Sequence, residues 1–124
     1  MKKIKVLAVD DDFINLKLLK TMLLKNDFVE EVIEAKNGVE AIEILRSRED
    51  IDLILLDILM PVMNGIEMLK IIKSDDSLKD IPVIVLSTDE TKRTEALDSG
   101  ANDFINKPIR ESVLTEKIKT YAFL

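Results

Sequence analysis

The chain contains no histidine. That absence removes the Ser-His-Asp triad, imidazole acid–base catalysis and histidine-ligated metals together. Cysteine is absent as well, which excludes disulfides, zinc thiolates and thiol nucleophiles and points to a reducing, cytoplasmic compartment. There is no run of about 18 apolar residues, and Lys2, Lys3 and Lys5 break up the N-terminus, so neither a membrane span nor a signal peptide is expected. A basic excess is missing too: 18 Lys and Arg stand against 24 Asp and Glu, a formal net charge of −6. Nucleic acid and anionic membranes both require a basic face, and neither is expected as a direct partner. Asp, Glu, Lys, Ser, Thr, Tyr and the backbone remain to carry chemistry. Reactivity is then carboxylate chemistry, and any metal is a hard, oxygen-ligated ion.

At 124 residues the length matches one domain, residues 1–124, able to bury roughly two-thirds of the surface of its unfolded chain. Short apolar runs alternate with amphipathic stretches. Ile4 to Val9, Phe28 to Ala35, Ile51 to Leu56, Pro82 to Leu86 and Asp103 to Ile105 read as strands, the second a more polar edge strand and the third covered on both faces. Helical periods follow each: Phe13 to Lys25, a segment with Val39, Ala41, Ile42 and Leu45, one with Ile66, Met68, Leu69 and Ile72, a weaker one over Glu90 to Ser99 stopped by Gly100, and Glu111 to Tyr121. This alternation predicts an α/β fold of three layers, a flavodoxin-like (βα)5 sandwich with a five-stranded parallel sheet in the order 2-1-3-4-5. In that order the ends of the first and third strands adjoin at the switch point, where such sheets bind ligands.

The residues that follow the strands carry the functional signal. The first strand ends in Asp10-Asp11-Asp12, the third in Asp57, the fourth in Ser87-Thr88 and the fifth in Asn106-Lys107-Pro108. Each piece has a bland reading, as turn residue or helix cap, and Asp12 is read as the N-cap of the first helix. Together the four ends gather carboxylates, a hydroxyl and an ammonium at one edge. Crowded carboxylates repel unless a cation intervenes, and Mg²⁺ suits one or two carboxylates with waters and phosphate oxygens. A metal-held carboxylate beside a lysine and a hydroxyl is a site for phosphoryl transfer, its natural product an aspartyl phosphate.

Val9-Asp10-Asp11, Leu56-Asp57-Ile58-Leu59-Met60-Pro61, Met63-Asn64-Gly65, Pro82 to Ser87, Gly100 to Phe104 and Lys107-Pro108, in this order and spacing, resemble the receiver domains of response regulators, the CheY-like family of two-component signalling. The resemblance covers essentially the whole chain. It implies Asp57 as phosphoacceptor, Asp10 and Asp11 as the Mg²⁺-binding acidic pair, and the backbone carbonyl of Leu59 as a further ligand. It also implies Ser87 as the switch hydroxyl, Lys107 as the phosphoryl-contacting lysine, a cis Lys107–Pro108 bond, and Phe104 as an aromatic that turns inward on activation. The implied donor is a sensor histidine kinase or histidine phosphotransfer protein. The implied readout is a change of the face formed by the fourth helix, fifth strand and fifth helix, toward an output domain or target protein or a phosphorylation-dependent homodimer. Such a chain accepts a phosphoryl group without being a dedicated enzyme. Leu59 lacks a side-chain hydrogen bond for a hydrolytic water, implying slow to moderate autodephosphorylation, and Phe104 offers no hydroxyl for an output contact. Asn15 to Leu19 and Ile118 to Tyr121 are similar to receivers joined to cyclic-di-GMP synthesis or hydrolysis domains.

Three rivals differ in what they require. A haloacid-dehalogenase-type phosphatase would use Asp10 as nucleophile and Asp12 as acid/base, but it needs an acidic pair beyond the lysine, where only Glu111 and Glu116 remain. A flavodoxin-like cofactor binder needs a Gly-, Ser- or Thr-rich loop after the first strand, where this chain has three aspartates. A phosphorylation-independent interaction module would have no use for the complete set of side chains.

Overall fold

The computed structural model describes residues 2–58 and 63–123. Ile4–Val9 (β1), Val29–Ala35 (β2), Leu53–Asp57 (β3), Val83–Ser87 (β4) and Asp103–Asn106 (β5) form one parallel sheet in the order β2-β1-β3-β4-β5. The helices are Phe13–Leu24 (α1), Gly38–Ser47 (α2), Gly65–Ser74 (α3), Arg93–Asp98 (α4) and Glu111–Ala122 (α5). This is the predicted flavodoxin-like arrangement. None of the described helices is long and apolar enough to cross a membrane.

Strand alternation divides the core into two. Leu7, Val9, Ile54, Leu56, Val83 and Val85 face α2, α3 and α4, while Ile4, Val6, Ala8, Leu53, Leu55, Ile84 and Leu86 face α1 and α5. β3 and β4 are buried along their whole length, which explains why they read as unbroken apolar runs. β2 is an edge strand with Glu30 and Glu31 exposed, as its polar sequence indicated.

The helix from Glu90 differs from expectation. Residues Glu90–Lys92 form a 3-10 turn, capped by the Asp89 carboxylate accepting the Thr91 N–H, and the α-helix starts only at Arg93. Lys92, the residue before it, supplies no side-chain cap, so the first turn tightens instead. Gly100 ends the helix at φ 111°, with Gly100 and Ala101 N–H groups donating to the carbonyls of Leu97 and Ala96, a left-handed cap that glycine adopts at little cost.

Register positions the strand ends. Val9 pairs with Leu56, Leu56 with Val85, Asp57 with Leu86 and Ser87 with Asn106. Asp10 and Asp57 therefore leave the sheet on adjacent strands, with Ser87 and Lys107 on the next two.

Candidate functional site

Asp57 is the last residue of β3 and is 8% exposed, while Asp10 is 4% exposed and Ser87 1%. These three are the buried polar residues of the described chain. Burying a polar group costs free energy unless something compensates it, so their position beneath one edge calls for partners. Lys107 supplies one. Its Nζ lies 3.4 Å from Asp10 Oδ2 and 3.6 Å from Asp57 Oδ2. The Lys107–Pro108 bond is cis.

Asp11 completes an acidic group. One carboxylate oxygen each from Asp10, Asp11 and Asp57 lie within 4.8 Å of one another. Three carboxylates face one ammonium, leaving the edge short of positive charge, a condition that a bound cation relieves. The donor set is entirely oxygen. Octahedral Mg²⁺ at about 2.1 Å holds adjacent ligands about 3 Å and opposite ligands about 4.2 Å apart, so three oxygens within 4.8 Å of one another can reach one ion by side-chain movement or through an intervening water. The predicted Leu59 carbonyl ligand lies outside the described residues.

Asp12 does not join the cluster. Its exposed carboxylate accepts the N–H groups of Ile14 and Asn15 and caps α1, as its sequence position indicated. The Asp12 N–H in turn donates to Asp10 Oδ1 at 2.9 Å and orients that carboxylate. An acid/base role for Asp12 therefore has no geometric support.

Ser87 Oγ accepts the Asp89 N–H at 3.0 Å, and the Ser87 carbonyl accepts the Lys107 N–H at 2.8 Å. The hydroxyl is thus linked to the loop that begins the 3-10 turn, and the backbone ties the β4 and β5 ends together. Phe104 is 1% exposed, with the Arg93 guanidinium 4.8 Å from its ring centroid.

Sequence reading missed a clasp around this aromatic. Glu90 accepts from Arg93 through both carboxylate oxygens and from Asn106 Nδ2 at 2.9 Å. The Arg93 guanidinium holds the Glu90 carboxyl below the usual carboxylate range. Glu90 and Arg93 are three apart, a spacing at which helical side chains meet, but Asn106 comes from another strand. A second missed feature clips α5 to β5: Asp103 Oδ2 accepts from Lys117 Nζ at 2.7 Å and Tyr121 Oη at 3.0 Å. Burial raises the Asp103 carboxyl, but Lys117, the Phe104 N–H and Tyr121 together hold it below its ordinary value.

A cleft of about 240 Å³ opens beside the cluster between α1 and the segment after β5, lined by Asp10, Leu18, Leu19, Met22, Lys107 and Ile109 among others. On the outer face of α1, Phe13, Ile14 and Leu18 are more than half exposed.

A family model for the response regulator receiver domain matches residues 6–119. Chemotaxis protein CheY1 of Helicobacter pylori is 38% identical over 117 residues, covering 93% of this chain and 94% of that protein. The solved structure of a putative response regulator from Chloroflexus aurantiacus superimposes with a TM-score of 0.92 at 26% identity, covering 99% of this chain and 100% of the other. The signal receiver domain of a histidine kinase from Syntrophus aciditrophicus gives 0.86 at 32% identity, covering 96% and 89%.

Proposed function

Because the chain belongs to the response-regulator receiver family, the non-enzymatic signalling modules of two-component systems, we propose that residues 1–124 act as one receiver unit that takes a phosphoryl group onto Asp57. The observation that carries this reading is the buried Asp57 carboxylate, 3.6 Å from the Lys107 ammonium and clustered with Asp10 and Asp11. The chain has no histidine, so a phosphohistidine donor belongs to a partner, a sensor histidine kinase or phosphotransfer protein. A cytoplasmic location follows from that pairing.

An Asp57 carboxylate oxygen attacks the phosphorus as the P–N bond to the donor imidazole breaks, and the electron pair leaves with the nitrogen. Asp10, Asp11, Asp57 and the Leu59 carbonyl would hold Mg²⁺, which when bound would neutralise charge on the transferring oxygens. Lys107 would neutralise a further oxygen, a role supported by its Nζ lying 3.6 Å from the acceptor carboxylate. Ser87 would donate its hydroxyl to the new dianion by moving toward it, carrying along the Asp89 N–H that its Oγ accepts. Any such movement pulls on the 3-10 turn and on the Glu90 clasp over Phe104. The phosphoryl group biases this element only by its preference for one arrangement, a matter of a few kcal/mol. The face of α4, β5 and α5 then carries the state to an output domain, a target protein or a second copy of the chain. The exposed apolar side chains of α1 and the adjoining cleft support the docking of the donor protein beside Asp57.

Incubation with acetyl phosphate and Mg²⁺, read by intact mass, tests the assignment. The wild-type chain gains one phosphoryl mass and D57A gains none. Phosphoryl gain by D57A would overturn it.

A further inference from the structure

We propose that Gly65 is a positioning residue for Asp57, holding the acceptor carboxylate in place by the absence of its own side chain. The inference deepens the proposed function and rests on Asp57 as the acceptor. Gly65 is the first residue of α3, is buried, and donates its N–H to the Ile58 carbonyl at 2.9 Å. A Cβ at this position would lie 2.6 Å from the Asp57 carbonyl oxygen, 2.6 Å from Ile58 Cα and 3.2 Å from the Asp57 carbonyl carbon. All three obstacles are backbone atoms, which cannot rotate away as a side-chain end can.

Backbone conformation does not explain the glycine. Among the described residues the positive-φ glycine is Gly100, not Gly65. The requirement at position 65 is for space. The other glycines meet side chains instead: Gly38 abuts the Met63 side chain and Gly100 that of Lys73.

Neither wall of the contact can retreat freely. Asp57 is held in β3, paired in register with Leu86. α3 is held from the other side, with Asn64 capping the Glu67 N–H at 2.9 Å and Met68, Leu69 and Ile72 fully buried. Relieving the overlap to ordinary contact requires a movement of about 0.8 Å in an interior packed at crystal density. The Asp57 side chain leaves the same residue whose carbonyl is pushed. Its carboxylate therefore shifts against Asp10, Asp11 and Lys107, whose spacing defines the site.

The test compares wild type, G65A and G100A. G100A is the control for general destabilisation, since it forces an alanine into a left-handed conformation against Lys73 without contact to Asp57. Folding is followed by circular dichroism, Mg²⁺ affinity by calorimetry and labelling by acetyl phosphate through intact mass. For folded G65A, Mg²⁺ affinity falls about tenfold and labelling slows about 10- to 100-fold, the scale expected for an ångström of misplacement. G100A keeps both within about twofold of wild type while melting earlier. If G65A is unfolded in buffer, it is refolded in trimethylamine N-oxide, which favours burial, and titrated there beside wild type. Wild-type Mg²⁺ affinity and labelling in folded G65A would overturn the proposal. So would a G65A that cannot be folded even in the osmolyte, because the glycine would then serve the fold as a whole. A wild-type chain that gains no phosphoryl mass overturns the proposed function instead, and the Mg²⁺ arm still judges Gly65.

Discussion

Replacing Lys107 with methionine should move two properties of the site in opposite directions. The substitution keeps an unbranched stem and removes the charge. The lost ammonium lies 3.4 Å from Asp10 and 3.6 Å from Asp57, with the lysine side chain 17% exposed. Two unit charges about 4 Å apart interact by about 1 kcal/mol in bulk water and about 4 kcal/mol at an effective dielectric of 20. A dication sharing those carboxylates is repelled by the ammonium with twice the unit-charge energy. Taking the water-like limit, removing Lys107 relieves on the order of 1–2 kcal/mol of repulsion, so Mg²⁺ binding should tighten by about tenfold. Phosphoryl gain should move the other way. The ammonium is also the protein's cation for the transferring oxygens, and losing such a group costs roughly 10²-fold in rate. The metal-free variant should be less stable than wild type by about 2 kcal/mol, less than for a fully enclosed pair because the cluster opens to solvent at Asp11. Mg²⁺ should restore most of that loss. Calorimetric titration at fixed ionic strength, melts in EDTA and in Mg²⁺, and acetyl phosphate labelling read these three effects. A folded K107M whose Mg²⁺ affinity is unchanged or weaker would refute the reasoning.

The Asp103 clip should give a pH signature. Its folded-state carboxyl lies below its ordinary value, so its stabilisation is fully present above about pH 4 and is lost as pH falls through the folded value. D103N should cost about 1–2 kcal/mol at neutral pH, and its deficit relative to wild type should shrink in melts below about pH 4; a deficit independent of pH would refute the charge-assisted reading. Replacing Ile14 and Leu18 together by serine should slow transfer from a phosphohistidine partner by about tenfold or more, while acetyl phosphate labelling stays unchanged. Equal slowing with both donors would place the effect in the site rather than in docking. With Leu59 after the acceptor, the phosphorylated chain should lose its label slowly or at a moderate rate, and a half-life of seconds without any phosphatase would contradict that.

Much of the fold was legible from chain order. Apolar runs at Leu53–Leu56 and Val83–Leu86 announce strands covered on both faces, because a central parallel strand has no solvent side. The alternation of strands and helices, with right-handed crossovers, then leaves few sheet orders. Boundaries were less legible. β3 extends to Asp57 and β4 to Ser87, because neighbouring strands hydrogen-bond to polar residues as readily as to apolar ones. The 3-10 start before α4 was not visible, because it depends on where Asp89 and Ser87 meet.

By itself the sequence determined which residues could do chemistry: no histidine or cysteine, and acids, a hydroxyl and a lysine at four strand ends. Those residues follow directly from strands whose apolar character sets their ends, so their convergence needs only the sheet order. Tertiary structure alone decided how tightly they converge, that Glu90 would grip Asn106 and Arg93 over Phe104, and that Gly65 would press on the acceptor's own backbone. These contacts join separate elements whose spacing is set by the register of the sheet and by how closely each helix packs on it. Such distances, resolved to fractions of an ångström, arise only when all the elements have docked.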